Sequence, residues 1–239
     1  FSGWDDSKTF YKDDKLLILK TTYKDNSFLT EDDIDTLESE TDKYYYNVYV
    51  LGNWGVLGAV IFKNWEAREL TKQEINTFDK HKHGLDFGFS RDPAALVSTH
   101  YDRTRKTIYI YDEMYETELT NDVLAKELLK RIKYDYVVCD SSEPKSIAEL
   151  KKAGVSALGA KKGRDSVNHG IQWLQQHKII VDTRCINTIN ELSQYKWRED
   201  KDGNVLKIPV DKNNHIIDAL RYAYEDEMRG KLKPVTVNI

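Results

Sequence analysis

Asp86, Asp140, His215 and Asp218 are the side chains of this 239-residue chain whose types and settings suggest joint chemistry. Asp86 lies in "HGLDFGFS", alternating with Leu85 and Phe87 in a stretch that reads as a strand. A carboxylate there is unfavourable unless it is paired or bound to a metal. Asp140 ends the apolar run "YVVCD", at the carboxyl end of a strand, where ligands sit in open α/β sheets. His215 and Asp218 stand three residues apart in the helix-like "NNHIIDALRY" and so point the same way. Each has a plainer alternative: Asp86 as a turn cap between Gly84 and Gly88, Asp140 as the cap of the next helix, His215 as a hydrogen-bonded core residue. Three carboxylates embedded in apolar sequence together call for positive charge. Mg²⁺ or Mn²⁺ takes oxygen ligands and supplies it. With paired ions such a cluster can activate water and stabilise the leaving oxygen in phosphodiester hydrolysis. His215 could then donate to the phosphate, protonate the leaving group or complete a metal shell. Glu143, three residues beyond Asp140, fits either a capping box or an outer-shell ligand.

The elements that must hold these groups show α/β order from Gly84 onward. "GLDFGFS", "AALVSTHYD" and "TIYIYDEMY" read as a three-strand meander. "TNDVLAKELLKRIK" has a capping Thr120 or Asn121 and a helical apolar period. A strand "YDYVVCD", a helix "PKSIAELKKAG", an apolar run "VSALGA", a helix "DSVNHGIQWLQQ", a strand "KIIVD" and a helix "RCINTINELSQY" follow. This alternation predicts a mixed central sheet with helices on its faces. Asp202-Gly203 predicts a two-residue turn in a projecting β-hairpin between "YKWRE" and "NVLKIPV". "NNHIIDALRYAYEDEM" closes the domain as a helix, with an unstructured tail expected at 231–239. Residues 1–80 are expected to form an acidic leader, with a helix at "TEDDIDTLESE" capped by Thr30, ahead of a domain at 81–230.

Composition narrows the class. No apolar run approaches a membrane span, and the start "FSGWDDSKTF" lacks a secretory layout, so a cytosolic compartment is expected. Cys139 and Cys185 are expected to be reduced core residues. The first residue is Phe rather than Met, which predicts a fragment. The net charge of −4 argues against uniform coating of nucleic acid, but the charge is unevenly spread. Lys24–Glu74 holds eleven acidic and five basic residues, whereas Lys145–Lys178 holds seven basic and two acidic. The second stretch suits either a solvated pair of helices or a phosphate-binding face. "GVSALGAKKG" spaces two glycines like a phosphate loop, yet Ala-Lys-Lys replaces Gly-Lys-Ser/Thr, so no ATP hydrolysis is expected.

"GLDFGFSRDPAAL", "VVCDSSEPKSI" and "NNHIIDALRYA", in this order and spacing, resemble the nuclease domain of the large terminase subunit of tailed bacteriophages. That resemblance, over Gly84–Arg229, implies an RNase H-like α/β fold and a metal-dependent endonuclease cutting concatemeric double-stranded viral DNA during packaging. It implies that Asp86, Asp140 and Asp218 are the metal-binding triad, that His215 accompanies them in catalysis, and that Mg²⁺ or Mn²⁺, as two ions, is the cofactor. Lys161, Lys162 and Arg164 in "GAKKGRDSV" match its DNA-contacting segment, and the hairpin matches one near its active site. It further implies the small terminase subunit and the portal protein as partners and the host cytoplasm as location. "TTYKDNSFLTEDDIDTLE" and "YVLGNWGVLGAVIF" resemble the trailing part of the packaging motor. A resolvase-type nuclease of the same fold, or a non-catalytic DNA-clamping or portal-docking module, are the alternatives.

Overall fold

The structure, a computed structural model, describes residues 10–12, 17–19, 22–39, 59–90, 92–161, 163 and 165–228. The chain divides into two compact units, Phe1–Gly58 and Ala59–Ile239. In the first, β1 (Phe10–Lys12) pairs antiparallel with β2 (Leu17–Leu19). A helix α1 (Glu31–Glu38) follows. Thr30 caps it as expected, and the structure adds a reciprocal bond that makes a capping box: its Oγ1 accepts the Asp33 amide at 3.2 Å, and its own amide donates to the Asp33 carboxylate at 3.0 Å.

The second unit is built on a seven-stranded mixed sheet in the order β3-β9-β6-β5-β4-β7-β8. Its centre is the expected meander of β4 (His81–Asp86), β5 (Ala94–Asp102) and β6 (Thr107–Glu116), antiparallel throughout. The strands β7 (Tyr136–Cys139) and β8 (Ser156–Gly159) extend it on one side in parallel. On the other side β9 (Lys178–Val181) pairs parallel with β6, and β3 (Trp65–Ala67) parallel with β9. Residues 59–80, expected in the leader, therefore belong to the sheet unit. A three-residue strand has no period to read, and β3 is held by tertiary bonds: Arg68 donates its amide to the Val181 carbonyl at 2.8 Å, and Leu70 to the Asp182 carboxylate at 2.9 Å. The short helix α2 (Lys72–Ile75) follows it.

Helices cover both faces. Ala94 and Leu96 of β5 pack with α3 (Asn121–Ile132) and α4 (Pro144–Lys152), through Leu124, Leu128, Ile147 and Leu150. Ala95 and Val97 point the other way, into a core with α5 (Ser166–Gln175), α6 (Ile186–Gln194) and α7 (His215–Ala223). Successive strand residues face opposite sides, so a strand buried on both reads as the unbroken apolar run "AALV". The closing helix breaks after Ala223, and α8 (Glu225–Met228) ends the described chain. The tail expected at 231–239 lies outside the described residues.

The hairpin forms from β10 (Trp197–Glu199) and β11 (Val205–Pro209), antiparallel. Its loop is wider than the expected two-residue turn. Asp200 donates its amide to the Asn204 carbonyl at 2.9 Å and accepts the Gly203 amide at 3.0 Å, leaving three loop residues with Gly203 at φ +83°. Glycine suits that left-handed position, as in hairpins that follow a tight turn with a bulge.

Candidate active site

Asp86 is the last residue of β4, so the strand ends at the carboxylate instead of running on through Phe87. Asp140 follows the last residue of the neighbouring parallel strand β7, and its amide donates to the Leu85 carbonyl at 3.1 Å. Two carboxylates thus emerge side by side at the carboxyl edge of the sheet. Asp140 Oδ1 accepts the Ser142 amide at 2.8 Å, which orients the side chain in a local turn.

The third carboxylate arrives from above. The helix α7 crosses β4 so closely that a Cβ on Gly84 would lie 1.8 Å from the Ala219 carbonyl oxygen. Only glycine permits that approach. The Gly84 of "HGLD" is therefore a docking point for the helix that carries His215 and Asp218, not part of a turn around Asp86. Ile216, Ile217, Ala219 and Leu220 are fully buried beneath this helix, which leaves its first turn directed at the strand ends.

His215 Nδ1 lies 3.0 Å from Asp86 Oδ2. Its other nitrogen, Nε2, is 3.8 Å from Asp92 Oδ1. The imidazole also meets the Tyr115 ring edge-on, with centroids 6.2 Å apart. Asp218 Oδ1 accepts Arg221 Nη2 at 2.7 Å and Nε at 3.2 Å, while its Oδ2 faces Asn214 Nδ2 at 3.3 Å. Arg221 is buried, and its aliphatic stem fills the space a Cβ would need on Gly170, 2.8 Å away.

The charges of Asp140 and Asp218 both reach Asp86. Burial raises the proton affinity of Asp86, the bond from His215 lowers it, and the charges of Asp218 and Asp140 raise it again. The buried Tyr222 hydroxyl is likewise pushed up, first by burial and then by Asp218, Asp86 and Asp140. The hydrogen bond to Asp86 holds His215 above the usual histidine range, against the opposing effect of its burial. Arg221 is raised as well, because the charge and hydrogen bonds of Asp218 outweigh its burial.

Among the described residues no three His, Cys, Asp or Glu side chains stand in ready-made coordination geometry. Asp86 is turned to His215, and Asp218 to Arg221 and Asn214. The donor set nevertheless fits a hard divalent ion: three mutually repelling carboxylates at one edge, with only oxygen to offer. Sulfur ligation does not compete. Cys139 and Cys185 are both buried in the core, and burial pushes the Cys139 thiol up to about 12.

The remaining sequence candidates divide. Glu143 takes the first position before α4, where its carboxylate accepts the Ser146 hydroxyl at 3.2 Å. With Phe87, Gly88 and Phe89 it lines a cavity of about 410 Å³. Lys161 has an exposed side chain, and its amide donates to the Glu225 carboxylate. Lys162 and Arg164 lie outside the described residues. Arg221, Asn214, Tyr115, Tyr222 and Glu191 carry no functional expectation from the sequence, in which Asn214 is a candidate helix cap alone. For Arg221 and Asn214 a signal existed, since both share a helical face with Asp218 at spacings of three and four. Glu191 left none, because its role depends on a different helix.

A model of the family described as "Terminase RNAseH like domain" matches residues 86–226, and one of "Phage terminase large subunit" matches residues 1–53. The terminase large subunit of Bacillus phage SPP1 is 36% identical over 219 residues, which cover 87% of this chain and 52% of that protein. The PBSX phage terminase large subunit of Bacillus subtilis is 31% identical, covering 86% and 49%. The chain thus spans about half the length of these curated relatives. Among solved structures, the nuclease domain of the SPP1 large terminase with bound Mn has a TM-score of 0.65 at 38% identity, covering 69% of this chain and 97% of that one. The P22 large terminase nuclease domain, at 16% identity and a TM-score of 0.53, shares the fold. The chain belongs to the terminase RNase H-like domain family of phage large terminase subunits.

Proposed function

We propose that this site hydrolyses phosphodiester bonds of double-stranded DNA, cutting concatemeric viral DNA during genome packaging. The observation that supports the reading is geometric: Asp86 and Asp140 leave the neighbouring strands β4 and β7 at the same edge, and α7, which carries Asp218, docks on β4 with His215 bonded to Asp86. Mg²⁺ or Mn²⁺ is the cofactor in this reading, and the SPP1 nuclease domain with bound Mn supports that choice. Two ions bound among the carboxylates would supply an activated water and shield the charge on the leaving oxygen.

The chain's own groups do the rest. Asp86, Asp140 and Asp218 provide the oxygen ligands. Arg221 and Asn214 fix the direction of Asp218, and Asp86 fixes the imidazole through Nδ1. That leaves His215 Nε2 to hydrogen-bond the phosphate or to hand a proton to the leaving oxygen. Lys161, Lys162 and Arg164 neutralise backbone phosphates, so cutting depends little on base sequence and weakens with salt. The small terminase subunit and the portal protein are the proposed partners and the host cytoplasm the proposed location. ATP hydrolysis is not part of this chain's proposed activity.

Plasmid cleavage with Mn²⁺ or Mg²⁺ tests the assignment. Asp140→Asn should lower the rate by about 100-fold or more, the loss expected when several kcal/mol of charge stabilisation goes. An Asp140→Asn chain that cuts as fast as the unaltered one overturns it. A DNA-clamping module, by contrast, would bind plasmid without cutting and show no thermal stabilisation by Mn²⁺.

A further inference from the structure

The helices α6 and α7 begin without capping bonds from their own N-terminal residues. The residue before α7, Asn214, makes no capping bond with its side chain, which faces Asp218 instead. Cys185, before α6, makes none either. Each first turn leaves amides that need an acceptor. In both helices another element supplies it.

Glu113, on β6, reaches the start of α6. Its Oε1 accepts the amide and the side chain of Asn187, both at 2.9 Å, and its Oε2 accepts the Thr188 amide at 2.8 Å and hydroxyl at 2.6 Å. One carboxylate therefore takes four hydrogen bonds and ties α6 to the sheet. Glu191 lies one turn further along the same helix and is buried. Its Oε2 accepts the amide of Ile217, the third residue of α7, at 3.1 Å. Its Oε1 is buried with no well-formed hydrogen bond among the described residues. The buried carboxyl group sits at the positive end of α7, where its oxygen accepts the Ile217 amide.

We propose that Glu113 and Glu191 act in series as positioning residues, transmitting the location of strand β6 through helix α6 to the first turn of helix α7, and so aiming His215 and Asp218 at Asp86 and Asp140. The inference rests on reading those four as the nuclease site. It places the accuracy of the site in carboxylates outside the acidic triad, bonded to helix starts. Displacing the first turn of α7 moves His215 and Asp218 together, because they share one face of it. Bulk packing by Ile216 and Leu220 would still hold the helix on the sheet.

The test uses the full chain, with Glu191→Ala and Glu191→Gln. In Glu191→Ala the Ile217 amide loses its acceptor and should exchange with solvent at least about tenfold faster, while sheet amides such as those of Val97 and Ile110 keep their protection. Plasmid cleavage with Mn²⁺ should lose about 10- to 100-fold in kcat, the penalty of a misplaced group, with KM for DNA changed less than about twofold. Glu191→Gln, which still offers an oxygen to Ile217, should recover most of both. If Glu191→Ala does not fold, Glu191→Asp replaces it with the same expectations, its carboxylate being one carbon short of Ile217. Unchanged Ile217 exchange overturns the relay, and so does unchanged kcat in a folded variant. An unaltered chain that never cuts DNA defeats the nuclease reading instead, and the relay is then decided by the Ile217 exchange alone.

Discussion

His215 Nδ1 and Asp86 Oδ2 are 3.0 Å apart, although 129 positions separate the residues in sequence. Both proton affinities are displaced upward, His215 chiefly by this bond and Asp86 chiefly by burial. A histidine raised in the folded chain adds stability that is fully present below the ordinary histidine value of 6.5 and disappears as pH rises through the folded value. Asp86→Asn should therefore move the His215 titration, followed by NMR, to lower pH. An unmoved titration would mean that the pair does not form.

Gly84 governs how closely α7 lies on β4. With 1.8 Å between a built Cβ and the Ala219 carbonyl, Gly84→Ala must push the helix away or bend the strand. The expected loss is about 3 kcal/mol in urea unfolding, at the upper end of overpacking penalties. Mn²⁺-dependent cleavage should fall further than the residual fold accounts for, since Asp218 retreats with the helix.

Arg221 is the counter-charge of Asp218 within its own helix. Arg221→Ala breaks a largely buried ion pair and should destabilise the metal-free chain by about 3 kcal/mol. Added Mn²⁺ should then raise the melting temperature more in the variant than in the unaltered chain, because the ion replaces the lost positive charge. Gly170→Ala, which intrudes on the Arg221 stem, should produce a weaker version of the same phenotype.

Glu191 supplies a pH signature. Burial pushes its carboxyl up to about 7, against the Ile217 and Ile216 amides, His215 and Tyr115, which favour the ionised form. Between the ordinary value of 4.5 and about 7 the folded chain holds a proton that the unfolded chain has released. Its contribution to stability thus declines as pH rises through that window and is level outside it. Glu191→Gln removes the decline, so its stability relative to the unaltered chain should improve from pH 5 to pH 8 by up to about 3 kcal/mol. Denaturant midpoints that stay parallel at the two pH values would contradict the buried ionisable assignment.

The order of strands and helices was legible because each has a local cause. Val137, Val138 and Cys139 form an apolar run, the apolar residues of "NDVLAKELLKRI" repeat at the helical period, and Thr30 carries its capping partner three residues away. The strand Trp65–Ala67 was not legible, since three residues show no period and its partners lie in β9. The hairpin was legible in place but not in loop length, because Asp200, outside the Asp-Gly pair, organises the turn.

The candidate acids were visible one by one, as carboxylates in apolar surroundings, which desolvation makes unfavourable unless they are compensated. By itself the sequence determined which side chains needed a counter-charge and which face of its helix carried His215 and Asp218. Only the tertiary structure decided what met them: Asp86 for His215, the buried Arg221 for Asp218, and Glu191 beneath the first turn of α7. Periodicity reports where a residue points within its own element. What it points at depends on sheet order and on how closely one helix docks, which here turns on Gly84 having no side chain.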